Sequence, residues 1–323
     1  QDLAHVHGRP LRSIFLGGGT PSLFSAQALE RLLKGVEQQL TFSDGIEITL
    51  EANPGTFEQE KFRDYRNLGI NRLSIGVQSF ENAKLKALGR IHDGGEAIRA
   101  ADMARAAGFE NFNLDLMHGL PEQSTEDALS DLRIAIAQKP THLSWYQLTM
   151  EPNTQFWSKP PQLPEDDQLW DIQEAGQALL ASEGYEQYEV SAYAQPGKQA
   201  QHNLNYWSFG DFLGIGAGAH AKLSSPDGQI QRSWKTRQPK DYLAADKNFI
   251  AGQRLLSTSE LPFEFLMNVL RLNQGVPAAL FTQRTGLPLS ALAAAREEAE
   301  ARQLLDRSPE HLRATREGQL FLN

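Results

Sequence analysis

Between Leu11 and Glu189, short runs rich in branched and aromatic residues alternate with longer amphipathic ones, and this alternation constrains the fold more than any single motif. The expected strands are Ser13–Leu16, Glu47–Glu51, Arg72–Val77, Asn111–Leu116, His142–Leu148 and Glu186–Val190. Between them the spacing predicts helices over Ala26–Leu40, Gln59–Leu68, Glu96–Ala107, Thr125–Ala137 and Gln168–Glu183. Ser25 and Ser124 precede two of these helices, where a side-chain oxygen can accept from an otherwise unpartnered N–H. Gly69, Gly108 and Gly184 follow three others, where a left-handed residue closes the last turn. Strands separated by helices pair in parallel through crossovers. Six such units suit an open or partial (β/α) barrel, and a doubly wound sheet is the competing arrangement.

Parallel α/β architectures hold ligands at the C-terminal ends of their strands. Here the first end carries Gly17-Gly18-Gly19-Thr20-Pro21 and the second Glu51-Ala52-Asn53-Pro54. The third carries Gly76-Val77-Gln78-Ser79-Phe80, the fourth Asp115 within Asn113–Pro121, and the fifth Tyr146-Gln147-Leu148-Thr149. The glycines allow positive φ and leave backbone N–H groups open to a carboxylate, phosphate or amino-acid headgroup. Any one of these residues could be an ordinary cap or turn residue. Five polar strand ends in succession imply a pocket for a polar small molecule.

The stretch Gln195–Gly228 is loop-rich and aromatic, with His202-Asn203-Leu204-Asn205-Tyr206-Trp207 followed by a glycine string from Gly214 to His220. That string is not a dinucleotide fingerprint, because no long helix follows it; it is expected to be a small-residue strand packed close to a ligand or another backbone. Helices are expected over Leu243–Leu255, Phe263–Leu272, Ala278–Thr285 and Ser290–Gln303, with a ribbon pairing Leu304–Asp306 and His311–Ala314. This set suggests a winged-helix-like domain over 241–323, after a barrel domain with its connecting loops over 1–240. The would-be recognition helix, Arg296–Arg302, sets two arginines against three glutamates, which suits protein packing better than phosphate contact.

A net charge of −9 argues against a sequence-independent grip on nucleic acid and so against a DNA-binding regulator. No apolar run reaches membrane-spanning length, and the N-terminus lacks the layout of a signal peptide, so a soluble cytoplasmic protein is expected. With no cysteine, these residues can form no disulfide, thiolate nucleophile or sulfur-ligated metal site.

The motif set as a whole resembles a known family. Phe15-Leu16-Gly17-Gly18-Gly19-Thr20-Pro21-Ser22 is similar to the glycine motif of radical S-adenosylmethionine (SAM) enzymes. Together with Glu51–Pro54, Ile75–Phe80, Leu88-Gly89-Arg90 and Asn113–Pro121, it resembles the oxygen-independent coproporphyrinogen III oxidase family over nearly the whole chain. Within that family, His202–Trp207 resembles the signature of the HemW-type branch, the heme chaperones.

The resemblance implies a partial (β/α)6 radical-SAM barrel with a C-terminal helical domain. It assigns Gly18, Gly19 and Thr20 to the methionyl amino group and carboxylate of SAM. Glu51, Gln78, Arg90 and Asp115 would hold the ribose and charged ends, with Thr149 nearby. Arg90 lies outside the strand ends and is nominated by the resemblance alone. His202 would be an axial ligand of heme, with Tyr206 and Trp207 offering apolar faces to the porphyrin; His118 and His220 rank behind it and read as structural.

The family's [4Fe–4S] cluster rests on three cysteines in a CxxxCxxC loop after the first strand. None is present here, so that loop and the first barrel strand are expected to precede Gln1. In the complete family protein a reduced cluster passes one electron to the sulfonium of SAM and releases a 5′-deoxyadenosyl radical. The chaperone branch binds heme and hands it to acceptor proteins such as respiratory enzymes. The alternative is the dehydrogenase activity of the family, oxidative decarboxylation of the propionates of coproporphyrinogen in porphyrin biosynthesis.

Overall fold

The computed structural model describes residues 2–322 apart from 7, 56–58, 153 and 245–247. The chain forms two compact units, one over Pro10–His202 and the other over residues 203–322 with residues 2–9.

The first unit is built on one seven-stranded sheet. Strands β1 (Leu11–Leu16), β2 (Phe42–Ala52), β3 (Arg72–Gln78), β4 (Phe112–His118) and β5 (His142–Gln147) pair in parallel, each beside the next. Helices 26–37, 59–67, 94–106, 125–137 and 166–182 occupy the connections, as the amphipathic runs predict, with an additional short helix at 82–87. The hydroxyl of Ser25 accepts from the Ala28 N–H, and Asp93–Glu96 and Ser124–Asp127 form capping boxes at the starts of two others.

The two faces of this sheet differ sharply. Successive side chains along a strand point to opposite faces. Ile48, Leu50, Leu73, Ile75, Phe112, Leu114, Leu143 and Trp145 share one face and enter the core with helix residues such as Phe62, Tyr65 and Leu132. The alternate positions are Glu47, Thr49 and Glu51 on β2; Arg72, Ser74, Gly76 and Gln78 on β3; Asn113, Asp115 and Met117 on β4; and His142, Ser144 and Tyr146 on β5. Parallel sheets are ordinarily apolar on both faces. Here one face of β2–β5 is polar.

The expected sixth parallel strand is a hairpin instead. Strand β6 (Glu186–Glu189) pairs antiparallel with β7 (Ala192–Ala194), and β7 pairs antiparallel with β5. Strand β6 thus runs in the same sense as β1–β5, but β7 lies between it and β5. The sheet order is β1-β2-β3-β4-β5-β7-β6.

In the second unit, β8 (His220–Ser224), β9 (Ile230–Lys235) and β10 (Ile250–Leu255) form an antiparallel sheet. Helices 261–269, 279–285 and 293–301 follow, with β11 (Val276–Pro277) pairing β12 (His311–Leu312) and a bridge joining Leu305 to Ala314. Two expectations change. The helix expected over Leu243–Leu255 gives way to β10, and residues 245–247 of that segment lie outside the described residues. Gly252 pairs with Trp234, whose ring fills the space a Cβ would need, so the glycine marks a close strand contact and not a helical position. The string Gly214–Ala219 is loop, and Gly214 abuts the backbone of His220 where no Cβ would fit.

The units divide at 202/203, whereas the sequence boundary was expected at 240/241. The reason is the second core, in which Phe209 and Ile230 join Phe265, Phe281, Leu292 and Leu312. Among the described residues no helix is long and apolar enough to cross a membrane.

Candidate functional site

Hydrogen bonds tie the polar strand ends of the first unit in pairs, β1 to β2 and β3 to β5. Gly18 and Gly19 leave β1 at φ +83° and +61°, with open space where a Cβ would stand. The Gly18 N–H donates to Glu51 Oε2 at 2.8 Å, which ties the glycine loop to the end of β2. Thr20 is joined to the same strand end by Asn53 Nδ2, which donates to its Oγ1 at 3.2 Å. At the end of β3, Gln78 takes a left-handed conformation with φ +69°, beside an irregularity in the β3–β4 pairing. Such backbone is costly for a residue with a Cβ and persists only where its surroundings enforce it. One enforcing contact is Tyr146 on β5, whose Oη donates to Gln78 Oε1 at 2.9 Å.

Electrostatics locate the other members. Burial pushes the Tyr146 phenol up to about 12; Asp115 and Glu51 push the same way, while Arg90 and Gln78 oppose them. Arg90 is itself exposed, in the turn after helix 82–87, yet its charge reaches the cluster. Burial raises the Glu51 carboxyl, opposed by the Gly18 hydrogen bond and reinforced by Asp115. Asp115 is likewise raised by burial, against hydrogen bonds from Asn113, Ser74 and Ser144 and the charge of Arg72. Glu51, Asp115, Gln78, Arg90 and the Tyr146 phenol thus act on one another electrostatically.

Thr149 stands apart from this cluster. It is exposed beyond β5, and its hydroxyl donates to Glu151 at 3.4 Å. His202, Tyr206 and Trp207 lie on helix 201–207, a stretch expected to be loop. Glu47 Oε1 accepts the first N–H groups of this helix, from Gln201 at 2.9 Å and His202 at 3.3 Å. The His202 ring stacks on Phe15, with centroids 4.4 Å apart and planes 18° apart. Burial and the charge of Arg72 lower its pKa to about 4, so the imidazole is neutral at physiological pH. In the second unit, Tyr206 packs on Phe212 at 4.3 Å and the Arg271 guanidinium sits 4.5 Å from the Trp207 ring. His118 is buried against Trp145, and His220 is exposed at the start of β8.

Tyr146 was not singled out by the sequence reading, although it lies within one of the quoted strand ends. The available signal was the alternation of polar residues along β5. Asn113 and His142, buried deeper on the same face, were missed for the same reason.

SAM carries a zwitterionic methionyl end, a sulfonium and two ribose hydroxyls. The rim supplies acceptors in Glu51 and Asp115, a cation in Arg90 and a glycine loop that a ligand can approach without meeting a Cβ. Lower on the polar face, Thr49 Oγ1 and Arg72 Nε are register neighbours, both buried and both without a hydrogen-bond partner. Such atoms are unusual in a face closed to ligand or water. The residues fit SAM. A [4Fe–4S] cluster requires thiolates, and the chain has no cysteine, so these residues do not fit that group. Among the described residues no group of three or more His, Asp or Glu could hold a metal ion.

The model of the Radical SAM superfamily matches residues 2–134, and that of the HemN C-terminal domain matches residues 256–321. A solved structure of Escherichia coli coproporphyrinogen III oxidase, HemN, described as a radical SAM enzyme, aligns with 99% of this chain and 79% of its own at a TM-score of 0.80. Its sequence identity is 21%, and the likeness is one of fold. The fold is thus that of a radical SAM protein.

Full-length relatives narrow the assignment. The heme chaperone HemW of Escherichia coli K12 is 53% identical over 322 residues, covering 100% of this chain and 85% of the relative. The heme chaperone HemW of Haemophilus influenzae is 51% identical over 318 residues, covering 98% and 82%. The chain belongs to the HemW family.

Proposed function

We propose that this protein is a heme chaperone: it binds SAM at the rim, takes up heme and passes it to heme-dependent acceptors such as respiratory enzymes in the cytoplasm. The observation that carries the reading is the 53% identity across the full chain to a protein named for that role. The oxidase HemN shares the fold at 21%.

In this reading Gly18, Gly19 and Thr20 meet the methionyl end of SAM. Glu51, Gln78, Asp115 and Arg90 hold its ribose and charges, and Thr149 lies at the edge. SAM, when bound, would supply the family's sulfonium chemistry. His202 is the proposed heme ligand. Its imidazole is neutral at physiological pH, the form that binds iron. Tyr206 and Trp207, on the same helix, would flank the porphyrin.

Heme titration followed at the Soret band, with His202→Ala beside the wild type, tests the proposal. Saturable binding at one equivalent, lost in the variant, is expected. Binding unchanged in the variant removes His202 as ligand. Absence of binding by the wild type refutes the heme site in these residues.

A further inference from the structure

A chain of buried hydrogen bonds leads away from the rim, and its direction is set by the carboxyl oxygens of Asp115, both of which accept. Asp115 Oδ1 accepts from Asn113 Nδ2 at 2.7 Å, and its Oδ2 accepts from Ser74 Oγ at 3.0 Å. The same Asn113 nitrogen donates to Ser74 Oγ at 2.8 Å. The amide oxygen of Asn113 therefore faces the other way, towards Ser144 Oγ at 3.2 Å and His142 Nδ1 at 2.7 Å. A carbonyl oxygen can only accept, so Nδ1 of His142 carries the proton. Burial, aided by the Arg72 charge, holds this imidazole neutral, which leaves Nε2 as a lone pair. Tyr188 Oη, 2.9 Å away, must then donate to it.

Were the Asn113 amide reversed, its oxygen would sit against Asp115 Oδ1 and against a Ser74 hydroxyl whose proton is already given to Asp115 Oδ2. Asn113 and His142 are each 1% exposed and Tyr188 6%, so water offers no substitute partner.

We infer that Tyr188, His142 and Asn113 form a one-way hydrogen-bond relay that fixes the orientation of Asp115. They are positioning residues for whatever ligand the rim binds. The inference rests on the reading that Asp115 meets SAM. It also gives the β6–β7 hairpin a role in the site, because Tyr188 lies on β6.

The tautomer of His142 reports the relay without any ligand. In full-length protein labelled with 15N-histidine, a two-bond 1H–15N spectrum, with the His142 signals assigned by their loss in His142→Leu, should show the Nδ1–H tautomer. Asp115→Asn, which can donate as well as accept, should convert it to a mixture or to Nε2–H. An Nε2–H form in the wild type overturns the relay, as does a tautomer that Asp115→Asn leaves unchanged.

S-adenosylhomocysteine is the binding probe. His142→Leu should weaken its binding about 5- to 10-fold, the scale of one lost hydrogen bond, and His142→Gln should restore most of this because its amide N–H can donate to Asn113. Equal affinity in wild type and His142→Leu refutes positioning. A wild type that does not bind S-adenosylhomocysteine refutes the SAM reading, and the tautomer comparison still decides the relay.

Discussion

Asp131 offers a quantitative test of how the rim is held. It lies on helix 125–137, 4% exposed, and its two oxygens accept from Ser79 Oγ and the Phe80 N–H, each at 2.7 Å. It thus fixes the turn that leaves Gln78. Burial raises its carboxyl from 3.8 to about 6, despite both hydrogen bonds, and Glu81 and Asp127 push in the same direction. A folded pKa above the unfolded value means that the folded state favours the protonated acid. The associated stability is complete below about pH 4 and is lost as pH rises through about 6. A shift of roughly two units corresponds to about 3 kcal/mol at most.

Asp131→Asn removes the titration. Like the protonated acid, the asparagine keeps an oxygen that accepts from the Phe80 N–H and sets a donor against Ser79 Oγ. Relative to wild type, the variant should therefore be about as stable near pH 4 and about 2 kcal/mol more stable near pH 7.5. Urea unfolding followed by circular dichroism from pH 4 to 8 measures the difference directly. A wild-type-to-variant difference that stays constant over this range would refute the assignment of the buried charge.

Two further outcomes follow from the same unit. Tyr146→Phe deletes the hydroxyl that holds Gln78, so S-adenosylhomocysteine affinity measured calorimetrically should fall about 3- to 10-fold, on the scale of one neutral hydrogen bond; an unchanged Kd would detach Tyr146 from the site. Gly176→Ala would ordinarily favour a helix by up to about 1 kcal/mol, but here the new methyl group would collide with the Trp145 ring. The overpacking cost of about 1–3 kcal/mol should prevail, and a rise in the urea midpoint would show that the ring has room to move.

The sequence revealed the fold where the controlling interactions are local. Caps at Ser25 and Ser124 and the alternating pattern Arg72-Leu73-Ser74-Ile75-Gly76-Val77-Gln78 can be read within a few residues, and five parallel strands formed close to where expected. The expectation failed where a distant partner decides. Strand β7 has three residues, too few to show a period, and its place beside β5 is set by pairing with residues some fifty positions earlier in the chain. Strand β10 lies in a stretch read as helical, because the Trp234 ring over Gly252 belongs to another strand.

The site divides in the same way. Gly18, Glu51 and Gln78 stand at strand ends, where topology alone makes a polar residue conspicuous, whereas Asp115 lies inside β4. Tyr146 finds its partner 68 residues away, and His142 finds Tyr188 46 residues away. In a sequence, such residues are merely polar letters on alternating positions of a strand. Yet the alternation itself carried information: a parallel strand packed by helices on one side has no use for a buried polar row on the other unless something polar is held there. Read in that way, β2 to β5 mark the interior face before any partner is known, and the fold then determines which of its residues reach the rim and which stand behind them.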